Sequence, residues 1–313
     1  MKMIHSLDEL GVQLECVLTV GTFDGVHRGH QHLVQQIVAQ ARGAGLTSVA
    51  LTFDPHPRAV LRPAAPALYL STPEERAERM LAMGLDWFVV LPFTHELAAL
   101  SAEQFLTLLA RRLSIRELWV GSGFALGRHR AGTTAALEQI QAAFGYRLHV
   151  IQPLYENGAP ISSTRIRQLI TQGQVRKASR LLGHEYTLTA QIVPGDQRGR
   201  RLGYRTANVR PAPDRALPPH GVYAMWASVE GQRWPAVANV GVCPSFGLSE
   251  VLIEVHLLDF EGDLYGQTLQ VAFVERLRAE KRFDDVRALI AQIGRDVERA
   301  RALLGVPKPQ PHG

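Results

Sequence analysis

A change of hydrophobic period near residue 184 constrains this chain more than any other feature. From Cys16 to about Leu182, apolar strand-like runs alternate with amphipathic ones: CVLTVGTF, then RGHQHLVQQIVAQARGAG, then TSVALTF. Such alternation is the signature of a parallel sheet with crossover helices. Further strands are expected at WFVVLPF (87–93), ELWVGS (117–122) and RLHVIQPL (147–154). Two helix starts are readable, because Thr72-Pro73-Glu74-Glu75 and Ser101-Ala102-Glu103-Gln104 both have the form of a capping box. The expected architecture for residues 1–184 is a doubly wound α/β domain, which takes ligands at the carboxyl ends of its strands.

After Gly183 the pattern becomes short alternating strands with Gly and Pro turns: YTLTAQIVPG, GVYAMWASVEG, RWPAVANVG, VLIEVHLLDF and LQVAFVERL. That describes a small antiparallel β-barrel. One long amphipathic helix follows, with Val286, Leu289, Ile290, Ile293 and Val297 on one face, and that face is expected to pack on the barrel. The final PKPQPHG reads as a tail. The second domain is thus expected over 185–313.

Charge narrows the partners. The chain has 34 Lys+Arg against 29 Asp+Glu, a net charge of +5. Residues 1–184 hold 18 basic and 14 acidic groups and the remainder 16 and 15, so neither half is a basic nucleic-acid module. Small anionic substrates fit better. No run of eighteen apolar residues exists, and MKMIHSLDEL lacks a signal-peptide core, so neither membrane nor export is expected and the cytoplasm is. Cys16 and Cys243 stand too far apart in sequence for a metal-ligand spacing and read as buried small hydrophobes.

The first chemical site falls at the end of the first long strand. In VGTFDGVHRGHQHLV the strand ends at Gly21, a turn follows at Asp24-Gly25, and a helix opens around Arg28 with His27 and His30 three positions apart. A helix N-terminus offers free N–H groups and a positive dipole end, and two imidazoles beside it can hold nucleotide phosphates. Gly29 lets a phosphate approach the backbone. Zinc is the competing reading of a His pair, but no third ligand is evident. Two surface histidines are the plain alternative.

The string from Thr19 to His30 resembles the HxGH signature of the nucleotidyltransferase superfamily, which moves a nucleotidyl group from ATP to an acceptor phosphate. The resemblance places Gly21, Thr22, Phe23, His27, Gly29 and His30 around ATP, with the two histidines catalytic. Ile161-Ser162-Ser163-Thr164-Arg165-Ile166-Arg167 matches the superfamily's ISSTxIR motif. It implies that Ser162, Ser163 and Thr164 supply donors at a helix start and that Arg165 or Arg167 reaches the leaving pyrophosphate. Alone, that segment reads equally well as a Ser-capped helix with solvated arginines.

In the second half, GRRLGYRTANV, GVYA, VANVGVCPSFG and IEVHLLDFEGDLYGQ together resemble the riboflavin kinase domain. With the N-terminal motifs in the same order, the chain from about 14 to 303 is similar to the bacterial bifunctional riboflavin kinase/FAD synthetase family. Riboflavin, FMN and FAD are then substrates and products, with ATP as co-substrate and Mg²⁺ as cofactor. The resemblance assigns the adenylyltransferase flavin site to Phe53, Pro55, His56 and Pro57 of LTFDPHP. It assigns kinase ATP and metal binding to Gly203, Thr206 and Asn208, of which Thr206 and Asn208 hold Mg²⁺ through a hydroxyl and an amide oxygen. Glu254 aligns with the kinase's general base. Periodicity alone makes Glu254 a solvent-facing strand residue. His256 is read as structural and facing away from it. No GxxxxGK[ST] occurs, so a P-loop kinase is excluded.

Three departures lie inside these motifs. Gly123 stands where the family usually has Asp or Asn, Arg205 replaces the Pro of PTAN, and Cys243 and Ser245 replace the more usual Arg and Thr. They leave two alternatives to the bifunctional enzyme: a chain that keeps only one activity, and a flavin- or nucleotide-binding regulator without turnover. Oligomeric state is not legible.

Overall fold

The computed structural model describes residues 2–64, 68–193, 206–242, 251–262, 264 and 266–307. Arg198, Arg200, Arg201, Gly203, Arg205, Cys243, Ser245, Asp263, Tyr265 and the end of the tail lie outside them. The chain forms two compact units, 1–163 and 164–313.

The first unit runs β1 (Lys2–Ile4), β2 (Leu14–Val20), α1 (Arg28–Ala44), β3 (Thr47–Asp54), α2 (Pro57–Leu61), α3 (Pro73–Ala82) and β4 (Trp87–Pro92). It continues with α4 (His95–Ala99), α5 (Ala102–Ala110), β5 (Leu113–Gly121), β6 (Ala125–Leu126), β7 (Gly132–Thr133), α6 (Thr134–Phe144), β8 (Arg147–Ile151), β9 (Tyr155–Glu156) and β10 (Ala159–Pro160). Among the described residues six strands form one sheet in the order β1-β4-β3-β2-β5-β8, all parallel. The expected parallel sheet is present, extended by the short N-terminal β1. From β2 the chain winds outward through β3 to β4, then returns to place β5 on the other side of β2. The carboxyl end of β2 is therefore the switch point where such sheets bind ligands.

β2 is buried on both faces, which is why CVLTV reads as a continuous apolar run. Cys16, Leu18 and Val20 join a core that includes Phe105, Leu106 and Leu109 of α5, while Val17 joins one containing Val34 and Ile37 of α1 and Met80 of α3. Both expected capping boxes form, at Thr72 with Glu75 and at Ser101 with Gln104. Burial pushes the Cys16 thiol up to about 12, so it packs as a hydrophobe.

The second unit contains α7 (Ser163–Thr171, the first residue belonging to the first unit) and α8 (Val175–Leu182). Six strands follow: β11 (Tyr186–Val193), β12 (Ala207–Val209), β13 (Gly221–Val229), β14 (Gln232–Val242), β15 (Val251–Leu257) and β16 (Thr268–Arg278). Helix α9 (Val286–Leu304) comes last. The strands close into an antiparallel barrel, β11-β12-β15-β14-β13-β16. Helix α8 packs against β11 and β16.

Helix α9 corrects one expectation. Its contact with the barrel is made late, where Val297, Ala300 and Leu303 meet Val222, Ala224, Val237 and Leu277. Val286 and Ile290 are exposed, so the apolar stripe is longer than the surface it packs on among the described residues. No helix among them is long and apolar enough to cross a membrane.

Candidate functional site

The β2–α1 turn builds the first site. Helix α1 begins at Arg28 and His27 is its N-cap, with extended backbone and Nδ1 accepting from the His30 amide at 3.4 Å. A ring nitrogen that accepts carries no proton, so Nε2 carries it: His27 presents an Nε2–H donor. The His27 and His30 rings stack at 3.7 Å, and Phe23 meets His30 edge-on at 5.4 Å. His30 Nδ1 is buried without a hydrogen-bond partner.

Burial depresses both imidazoles. His27 is pushed down to about 4, chiefly by desolvation and against the pull of nearby Asp24. His30 lies well below the usual range, through burial first, then the neighbouring His27 and Arg76. Near neutral pH both rings are uncharged donors poised beside a helix N-terminus.

The glycines of this turn have a further task. A Cβ on Gly29 would stand 3.2 Å from Cε1 and Nδ1 of His27, and one on Gly21 would stand 3.0 Å from the Phe23 ring. Gly29 thus leaves room for the His27 ring and Gly21 for the Phe23 ring.

The other expected residues of this unit gather nearby. Gly21 N donates to the Leu51 carbonyl at 3.0 Å, tying the turn to β3. Where β3 ends, the Phe53 ring packs against Phe93 at 5.4 Å and Phe105 at 6.1 Å. His56 caps α2 by accepting from Arg58 N at 3.0 Å, Pro57 is the first residue of α2, and Pro55 is exposed. From the ISST segment, Ser163 Oγ donates to the Asp24 carbonyl at 2.9 Å, which ties the last residue of the first unit to the β2–α1 turn. Thr164 is exposed, and Arg165 and Arg167, both half-buried, belong to the second unit.

In the barrel, Asn208 pairs with Glu254 and Glu254 with Asn239, so these three side chains form one row across β12, β15 and β14. Their strand neighbours Ala207, Val209, Ile253, Val255, Ala238 and Val240 are buried, which puts the row on the outer face. Glu254 is exposed there, and Asn208 and Asn239 are half-buried. Thr206 is half-buried two positions before Asn208. His256 is corrected: standing two residues from Glu254 on a strand, it shares Glu254's face. Asn239 went unnamed in the sequence reading, because only the strand register lifts it out of VANVG.

A parallel sheet with neutral imidazoles beside a helix start at its switch point, and a barrel bearing an Asn-Glu-Asn row, define a class: a two-unit protein with an α/β anion site in one unit and a carboxylate-bearing barrel in the other. Comparison with known proteins narrows it. The FAD synthetase family model matches residues 11–165 and the riboflavin kinase family model matches 182–304. A protein of Escherichia coli strain K12 named bifunctional riboflavin kinase/FMN adenylyltransferase is 36% identical over 313 residues, covering 99% of this chain and 100% of its own length. A Bacillus subtilis protein of the same name is 32% identical over 293 residues, 92% of each chain. A crystal structure from Streptococcus pneumoniae, described as a macrolide-efflux protein, is similar with a TM-score of 0.86 and 31% identity over 96% of this chain and 98% of its own. The chain belongs to the bifunctional riboflavin kinase/FMN adenylyltransferase family.

Proposed function

We propose that this chain phosphorylates riboflavin to FMN in the barrel and adenylylates FMN to FAD at the HxGH turn. The observation that carries this reading is the tandem match of one chain to both families, over residues 11–165 and 182–304.

In the kinase step the primary hydroxyl of the ribityl chain attacks the γ-phosphorus of ATP and ADP leaves. Glu254 is the only carboxylate in its row, and a base held on a rigid strand can take the hydroxyl proton as the bond forms. Asn208 in β12 and Thr206 just before that strand offer hard oxygen donors that fit Mg²⁺. Bound there with Gly203 nearby in sequence, the ion would offset the charge of the ATP phosphates.

In the adenylyl step an FMN phosphate oxygen attacks the α-phosphorus of ATP, the bond to the bridging oxygen breaks, and pyrophosphate leaves. His27 Nε2–H and His30 face the charge that builds on the α-phosphate, where neutral, desolvated donors are most effective. Gly21, Thr22, Phe23 and Gly29 shape the turn. Ser162 and Ser163 offer hydroxyls to the leaving phosphates, and Phe53, Pro55, His56 and Pro57 border the flavin. The partners are small soluble molecules rather than nucleic acid or membrane, and the place of work is the cytoplasm.

Chromatography of products from purified protein, riboflavin and Mg-ATP tests this directly. Wild type should yield FMN and then FAD. Glu254→Gln should lose FMN formation yet adenylylate added FMN, and His30→Ala should do the reverse, losing FAD by about tenfold to a thousandfold. Equal loss of both activities in either variant would contradict separate sites.

A further inference from the structure

The turn that carries His27 is held by a network of hydrogen bonds centred on Asp24 and Arg76. Phe23 (φ 49°), Gly25 (φ 79°) and Val26 (φ 40°) are all left-handed. For a β-branched residue such as Val26 that backbone costs on the order of 1–3 kcal/mol and persists only where the surroundings over-determine it.

The bonds that do so converge on Asp24, which is 1% exposed. Its Oδ1 accepts from Leu70 N at 2.9 Å, Ser71 N at 3.0 Å and the Ser71 hydroxyl at 3.2 Å, and its Oδ2 accepts from Leu70 N at 3.1 Å. The Ser71 hydroxyl in turn accepts from Gly25 N at 2.7 Å. Buried Arg76 completes the clamp, with Nη1 donating to the Thr22 carbonyl at 2.5 Å and to Thr52 Oγ1 at 3.2 Å, and Nε donating to the Thr72 carbonyl at 3.2 Å. On the far side Gln31 Nε2 donates to the Val26 carbonyl at 2.8 Å.

A buried carboxylate is costly unless several donors meet it, and a turn that only needed closing would not require one. Here the carboxylate joins the phosphate-side turn to the Leu70-Ser71 segment, 46 positions away in sequence. The residue two places beyond Gly25 is His27, whose ring must keep Nδ1 on the His30 amide if Nε2–H is to face outward.

We propose that Asp24, acting through Ser71 and with Arg76 beneath the turn, is a positioning residue for adenylyl transfer that holds His27 as the helix cap with its Nε2–H presented to the α-phosphate. It rests on the reading of the HxGH turn as the adenylyl-transfer site.

The test uses the full chain with Asp24→Ala, Asp24→Asn and Ser71→Ala. For each, kcat and KM for ATP are measured with added FMN, riboflavin phosphorylation is assayed in the same preparation, and nitrogen NMR of labelled histidine reports the His27 tautomer. Asp24→Ala and Ser71→Ala should lower kcat by about tenfold to a hundredfold, as misplacement of a reacting group does, with KM nearly unchanged. Their His27 signals should move from the Nε2–H tautomer towards a mixture, and kinase activity should persist. Asp24→Asn keeps an acceptor for the Leu70 and Ser71 amides and should recover part of the rate. Full kcat in a folded Asp24→Ala or Ser71→Ala, a loss confined to KM, or an unaltered His27 tautomer would overturn the proposal. If Asp24→Ala does not fold, Ser71→Ala, which removes one hydroxyl, decides. A wild type that makes no FAD refutes the adenylyl reading instead, and the tautomer spectra then test the clamp separately.

Discussion

The stacked imidazoles of His27 and His30 tie the chemistry of the first unit to its stability. His27 titrates near 4 when folded and His30 also well below its usual 6.5, so between those values the unfolded chain binds more protons than the folded one. Stability conferred by the neutral rings is full above about pH 6.5 and is lost as pH falls towards about 4, at up to about 1.4 kcal/mol per pH unit for each imidazole. Denaturant unfolding near pH 7 and near pH 5 should show that decline, and His27→Gln should flatten it; equal slopes in the two proteins would mean that the ring is solvated. Gly123 carries a different prediction. A Cβ there would meet nothing within 4 Å, and its carbonyl already accepts from Arg130 Nη2 at 3.1 Å, so a side chain can be added without displacing packed atoms. If the family's polar residue at this place contacts ATP, one hydrogen bond worth about 1 kcal/mol is missing here. Gly123→Asp or Gly123→Asn should then raise FMN adenylylation severalfold at subsaturating ATP, with riboflavin phosphorylation unchanged. Unaltered initial rates would show that the position does not contribute.

Among elements, α9 separates amphipathic pattern from actual burial. Its sequence stripe runs from Val286 to Val297, but Ala300 is fully buried while Ile290 is 38% exposed. Leu277→Ala, in the apolar patch that receives the helix, should cost about 2–5 kcal/mol by emptying packed volume. Ile290→Ala should stay within about 0.5 kcal/mol, as exposed substitutions do. Comparable losses in unfolding experiments would mean that the first turns of α9 are packed after all. The same contrast explains what could be read from the sequence. Strands β2, β3 and β4 and the capping boxes at Thr72 and Ser101 were legible because their signals are local. Strands β1 and β12 span three residues each, too few for a period to show. Ser6 and Glu9 form a capping box that the sequence displays, but without a long apolar run behind it. The HxGH pair was legible as a motif. Asp24 was not, because the amides that explain it come from Leu70 and Ser71. Asn239 needed the register of two strand pairs to be set beside Glu254.

For the whole molecule, the division into two units says where the chain can be cut. The sequence reading puts the junction at 184/185, where helical periodicity stops, whereas the compact units divide between Ser163 and Thr164. The difference concerns α8, whose Val175, Ala178, Leu181 and Leu182 are buried and which packs on β11 and β16. Removing α8 would expose the apolar surface of β11 and β16 that it covers and lose the burial of those four side chains. Each fully buried aliphatic side chain contributes about 1.5–3 kcal/mol, so the loss is comparable with the whole stability of a small domain. A fragment of residues 164–313 should therefore fold and phosphorylate riboflavin without making FAD, because the HxGH turn is gone. A fragment of residues 185–313 carries the same Thr206, Asn208 and Glu254 but should unfold at markedly lower denaturant, with kinase activity falling in step with the folded fraction. The comparison is made by unfolding curves and FMN formation on both fragments. Equal stability would show that α8 is dispensable to the barrel, and a folded, ATP-binding 164–313 fragment without kinase activity would remove the barrel from the reaction.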